Sequence, residues 1–117
     1  MAGFSIKTKR IYEKPEKTDG FRILVDRLWP RGLKKDDAAV DLWFREIAPS
    51  SELRKWFGHD ISKWDEFRIK YKEELEDKPY LLKTFKRLVH NQKSITLLFS
   101  AKDETHNNAV VLKDFIE

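Results

Sequence analysis

Phe21-Arg22-Ile23-Leu24-Val25-Asp26-Arg27-Leu28-Trp29-Pro30-Arg31-Gly32 is the stretch on which the fold turns. Its first half is a nearly continuous apolar run, which is how a strand reads when helices cover both faces of its sheet. Its second half changes abruptly to Asp26, Arg27, Trp29, Pro30, Arg31 and Gly32. In α/β proteins ligands bind just past the carboxyl ends of strands, so an acid and two guanidiniums at that point mark a candidate pocket.

Working outward, Ser5 to Tyr12 alternates apolar and charged residues and predicts a first strand, followed by a loop from Glu13 to Gly20 with Pro15, Asp19 and Gly20 as its turn chemistry. Downstream, Val40 to Ile47 reads as a short third strand, although a helix would also accommodate those residues, and Ala48 and Pro49 end it. Ser50 is a good N-cap for a short amphipathic helix with Leu53, Trp56 and Phe57 inward and Gly58 at its end. A second helix is expected from Asp60 or Ser62, with Trp64, Phe67, Tyr71 and Leu75 on one stripe. Asp77 is expected to cap a third, with Pro79 in its first turn and an end at His90 and Asn91. Ser94 to Phe99 reads as a strand and Asn108 to Ile116 as a closing helix. Buried strands alternating with helices predict a small single-domain α/β fold over residues 1–117, a three-layer sandwich with a mostly parallel central sheet.

Composition narrows the function. The chain has 117 residues, enough for one core. Aromatic residues at 13% and charged residues at 38% describe a packed interior under a charged surface and exclude disorder. With no cysteine, disulfides, thiolate metal sites and cysteine nucleophiles are excluded. Met1 to Arg10 carries no apolar signal core and no twenty-residue apolar run follows, so the expected setting is the cytoplasm, without membrane contact. The net charge of +4 arises from 24 basic and 20 acidic residues that are interspersed, a pattern of solubility more than of nucleic-acid binding.

After the last strand comes SAKDETHNNA, then the final helix. If the strands at Ile23 and Leu97 are parallel, this loop and the Asp26 loop converge, and the helix N-terminus adds backbone donors at the same edge. Arg27 and Arg31 would hold an anion, Ser100 and Asn107 would complete its binding, and Trp29 would wall the pocket. His106, with Asp26 or Asp103, would act as acid and base if catalysis occurs. Each residue also has a structural role open to it. Asp26 and Arg27 could pair with each other, Asp103 or Thr105 could be the N-cap of the last helix, and Asn107 and Asn108 suit a helix start. Ser100 with His106 as its base is geometrically possible within one loop. His59 beside Asp60 could orient a proton or hold a metal, whereas Asp60 as a helix cap is the plainer account; no metal-ligand spacing such as HExxH is present. No GxGxxG, GxxxxGK[ST] or GxSxG occurs, which removes the usual sequence support for dinucleotide binding, P-loop chemistry and the serine hydrolase elbow.

The strings DRLWPRG, WFREIAPS, LRKWFGHD, WDEFRIKYKEEL and TLLFSAKDETHNNAVVL together resemble the YeaO-like branch of the DUF488 family of small bacterial and archaeal proteins, over about Ile6 to Ile116. The resemblance implies a single α/β domain in the cytoplasm and assigns no activity. The longer DUF488 proteins look similar at the same two loops, with Cys-Ala-Glu where Phe99, Ser100 and Ala101 stand here and Cys-His-Arg where Asn107, Asn108 and Ala109 stand. Chemistry carried by those thiols does not transfer to this chain. The leading expectation is therefore binding of a compact phosphorylated or carboxylated ligand between the loops 26–32 and 100–108, with or without catalysis. The alternatives are a nucleic-acid-associated protein, a haem or metal binder through His59 or His106, and a non-catalytic interaction module built on the Trp-rich helices.

Overall fold

The computed structural model describes residues 5–116; the first four residues of the stretch inspected for an export signal, and the last residue of the expected domain, lie outside it. In chain order the elements are β1 (Ser5–Arg10), β2 (Phe21–Leu24), α1 (Lys35–Ala38), β3 (Leu42–Trp43), α2 (Ser51–Phe57), α3 (Trp64–Glu76), α4 (Pro79–His90), β4 (Ser94–Phe99) and α5 (Asn108–Ile116). The four strands make one sheet in the order β1-β4-β2-β3, and every neighbouring pair is parallel. The last strand in sequence thus lies between the first two. Ser5 faces Ser94, and Phe21 faces Ile95.

Alternation along the strands sorts the two faces of the sheet. Ile6, Ile23, Val25, Ile95, Leu97 and Phe99 point into a core that also takes residues from α2, α3, α4 and α5, among them Phe57, Tyr71, Phe85 and Leu112. Full burial of each such side chain is worth roughly 1.5–3 kcal/mol. On the other face Leu24 and Leu98 meet Ile11 and Ala38, with Trp29, Leu33 and Trp43 packed against them. This layer is thin: the single turn of α1 and the loops around it cover the sheet here.

The rest of that second face is ionic. Asp19 is fully buried, and its carboxylate accepts from Lys9 Nζ at 3.0 Å, from Lys7 Nζ at 3.0 Å and from Arg22 Nη1. Arg22 also donates to the carbonyls of Ala38 (2.8 Å) and Ala39 (2.9 Å), which fastens α1 to β2. Thr96 donates its hydroxyl to the Asp19 carbonyl at 2.7 Å, tying the loop to the central strand. Gly20, at φ 66°, follows directly, and a Cβ there would strike the backbone of Ser94. The close approach of loop to strand therefore requires glycine.

Three local expectations are corrected. The short third strand is only Leu42–Trp43, because the chain leaves the sheet into a 3-10 turn at Arg45–Ile47. The second helix is preceded by a 3-10 turn at Ile61–Lys63 capped by Asp60, so its α-helical part begins at Trp64. Asp77 does not cap α4: it closes α3 with its N–H on the Glu73 carbonyl, and Lys78 holds the N-cap position of α4 without a side-chain bond.

Candidate functional site

Because β2 and β4 are parallel and adjacent, their carboxyl ends deliver Asp26 and Ser100 to the same edge. The Asp26 carboxylate joins three elements. Its Oδ2 accepts from the Ser100 backbone N–H (2.9 Å) and hydroxyl (2.8 Å), and its Oδ1 from Asn108 Nδ2 at 3.2 Å. Asn108 Nδ2 also donates to the Val25 carbonyl at 2.8 Å, and the Trp43 indole donates to the Asp26 carbonyl at 2.7 Å. Burial pushes the Asp26 carboxyl above its ordinary pKa, against the opposing pull of its Ser100 and Asn108 donors and the charge of Arg54.

Arg27 forms no ion pair with Asp26. Its Nε donates to the Pro49 carbonyl (3.1 Å) and its Nη2 to the Ala48 carbonyl (3.2 Å), so it braces the segment leading into α2. Tyr71 grips the same segment by donating to the Ile47 carbonyl at 2.5 Å. Complete burial, and then the nearby Asp26 and Glu74 carboxylates, hold its phenol well above the usual tyrosine value. Trp29 donates its indole N–H to the Leu33 carbonyl at 2.7 Å and meets Trp43 edge-on at 5.5 Å. Arg31 is exposed, and its carbonyl accepts the Tyr12 hydroxyl at 2.8 Å.

In the second loop, Asp103 Oδ1 accepts from the backbone N–H groups of Thr105 (2.9 Å) and His106 (3.0 Å), and its Oδ2 lies 3.0 Å from His106 Nδ1. The Thr105 N–H leads the interactions that hold the Asp103 carboxyl down to about 2. His106 packs edge-on against Trp64, with ring centroids 5.1 Å apart. The expectation that Asp103 or Thr105 caps the last helix is corrected. Asn107, almost fully buried, accepts from the Val110 N–H at 3.1 Å and donates to the Asp103 carbonyl at 2.9 Å. Asparagine can do both because its amide presents an acceptor and a donor.

These residues line one cleft of about 930 Å³, which holds Asp26, Arg27, Trp29, Arg31, Ser100, Asp103, His106 and Asn107 together. Six cationic side chains border it, Arg10, Arg27, Arg31, Arg54, Lys55 and Lys102, against the carboxylates of Asp26 and Asp103. Sequence reasoning had not placed Arg10, Arg54, Lys55 or Lys102 there. Arg10 was within reach, since it ends β1 and a parallel neighbour of β4 must finish at the same edge. Arg54 and Lys55 lie on the polar side of α2, where composition alone gives no direction. His59, in a left-handed turn at φ 59°, also borders the cleft, while Asp60 accepts from Ser62 N at 3.0 Å and Ser62 Oγ at 2.7 Å. Among the described residues no three His, Cys, Asp or Glu side chains cluster as a metal site, and no helix is long and apolar enough to cross a membrane.

A parallel α/β domain with a basic cleft at the carboxyl edge of its sheet is thus the class that fold and site define. More narrowly, the chain belongs to the DUF488 family: the family model DUF488-N3i, described as the inactive DUF488-N3 subclade, matches residues 5–117. It is similar to the uncharacterised protein YeaO of Escherichia coli K12, 46% identical over 112 residues that cover 96% of each chain. The uncharacterised protein Rv3073c of Mycobacterium tuberculosis H37Rv is 36% identical over 111 residues, covering 95% of this chain and 92% of the relative. No solved structure matches.

Proposed function

We propose that this protein binds a small organic anion, phosphorylated or carboxylated, in the cleft between the loops 26–32 and 100–108, and that it holds this ligand without turning it over. The observation that carries the reading is the charge of the cleft. Arg31, Lys55 and Lys102 border it with side chains that make no hydrogen bond or ion pair among the described residues. Unpaired cations converging on a concavity favour an anion, and guanidiniums match carboxylate and phosphate oxygens in pairs. The start of α5 opens on the same space through Asn107 and Asn108, adding the positive end of a helix dipole.

Two observations support binding over turnover. The family carries the description inactive. The Asp26 carboxylate, the best-buried acid of the cleft, is occupied by three donors from Ser100 and Asn108. Should a reaction occur, the Asp103–His106 pair, with Nδ1 held at 3.0 Å, is the group that would move the proton.

The test is a thermal-shift series with phosphorylated and carboxylated metabolites on the wild type and on Lys55→Ala combined with Lys102→Ala. Both residues are exposed, so the variant folds as the wild type does. A ligand at a hundred times its Kd adds about 2.7 kcal/mol, a shift of several degrees, and the variant loses most of it. An unchanged wild-type melting temperature across all anions overturns the reading. A shift by oligonucleotides alone, lost steeply with salt, would replace it with a nucleic-acid partner.

A further inference from the structure

We infer that the ligand of this cleft is an acid with an apolar body, an aryl or alkyl phosphate or carboxylate, and that inorganic anions and sugar phosphates are discriminated against; the inference rests on the anion-binding reading above. The first observation concerns the hydroxyl, indole and amide donors of the walls, which are already engaged. Ser100 donates its hydroxyl to Asp26, Trp29 its indole to Leu33, Tyr12 its hydroxyl to Arg31, and Asn107 uses both ends of its amide on backbone. A sugar presents several hydroxyls that each need a partner, and leaving buried hydroxyls unpaired is costly. Apart from the imidazoles of His59 and His106, the cleft offers instead unpaired cations and hydrocarbon.

The second observation is where that hydrocarbon lies. Phe57 and Phe67 stack with centroids 4.3 Å apart at the inner side of the cleft. Among the described residues five large apolar side chains are exposed, and two of these, Tyr12 at 40% and Leu28 at 57%, border this cleft. The Arg10 guanidinium lies 4.7 Å over the Tyr12 ring. Apolar surface beside cations at one opening fits a ligand that carries both, and a volume of about 930 Å³ exceeds what a bare phosphate fills.

Titration calorimetry with four probes separates the possibilities: 2-naphthyl phosphate, 2-naphthol, ribose 5-phosphate and inorganic phosphate. The expected result is that naphthyl phosphate binds at least about tenfold tighter than each of the others, since burying one ring face is worth a factor of that order. Leu28→Ser, at an exposed position, weakens naphthyl phosphate severalfold and leaves the melting temperature unchanged. Ribose 5-phosphate or inorganic phosphate binding as tightly as naphthyl phosphate overturns the apolar body while the anion reading stands. Naphthol binding as tightly as naphthyl phosphate defeats the anion reading, and silence of all four defeats both.

Discussion

At the scale of single residues, Asp26 shows how position decides the role of a charge. The sequence pointed to it as a candidate acid or base, because it stands where an α/β strand ends. The structure gives its carboxylate the task of joining β2, β4 and α5, with all three donors coming from Ser100 and Asn108. Arg27 likewise spends two nitrogens on the carbonyls of Ala48 and Pro49. Which partner a side chain meets depends on residues 21 to 82 positions away, and no local pattern encodes that. Asp26→Asn keeps the shape but turns one acceptor into a donor facing Ser100 or Asn108. The expected cost is about 1–3 kcal/mol, read as a lower urea midpoint at unchanged slope.

At the scale of elements, the helices announced themselves through caps and stripes. Ser50 accepts from Leu53 N at 3.1 Å as its position before Glu52 and Leu53 promised, and its hydroxyl also donates to Glu74 of α3. The final helix runs from Asn108 to Ile116 as read from its apolar spacing. Where the reading failed, two acceptors competed for one role. Asp103 and Asn107 could each cap α5, and Asp103 instead closes its own turn on Thr105 and His106. Asn107→Ala should therefore cost α5 about 1–2 kcal/mol. It should also release the loop, because the bond to the Asp103 carbonyl goes with it. Amide exchange over residues 103–112 would show faster opening in the variant, and unchanged protection there would assign the cap elsewhere.

At the scale of the whole molecule, the α/β class and the parallel sheet were legible in the buried runs at Ile23–Val25 and Ser94–Phe99. The ionic second face was not, since Lys9, Asp19 and Arg22 look like surface residues in any composition count. Their burial is earned by mutual pairing, and removing one member leaves the others uncompensated: Asp19→Asn should cost about 3–5 kcal/mol in urea unfolding. Asp19 and Asp26 bend the pH profile in opposite directions. Burial raises the Asp19 carboxyl, but bonds from the Glu16 N–H, Lys7, Lys9 and Arg22 outweigh it and hold it far below 3.8. In the folded state Asp19 therefore stays ionised where the unfolded chain takes up a proton. Its stabilisation is present above the unfolded value and lost as pH falls through the folded one. Asp26, raised by burial, works the other way. It weakens the fold as pH climbs from 3.8 through its elevated value, with the penalty complete above that. Urea midpoints against pH should show a shallower acid limb in Asp19→Asn, the lowered Asp103 supplying part of what remains, and a weaker upper decline in Asp26→Asn.

The placement of β4 between β1 and β2 has a consequence for how the chain comes off the ribosome. Ser5 waits for Ser94 and Phe21 for Ile95, so neither early strand has its main partner until most of the chain has been made. Before then β2 can pair only with the two residues of β3, too little to hold a sheet. Vectorial synthesis thus leaves two sticky edges open throughout translation, and the closing insertion is a long-range event of the slow kind. A nascent chain halted before Ser94 should be fully sensitive to protease, and the finished chain should become resistant in a single step.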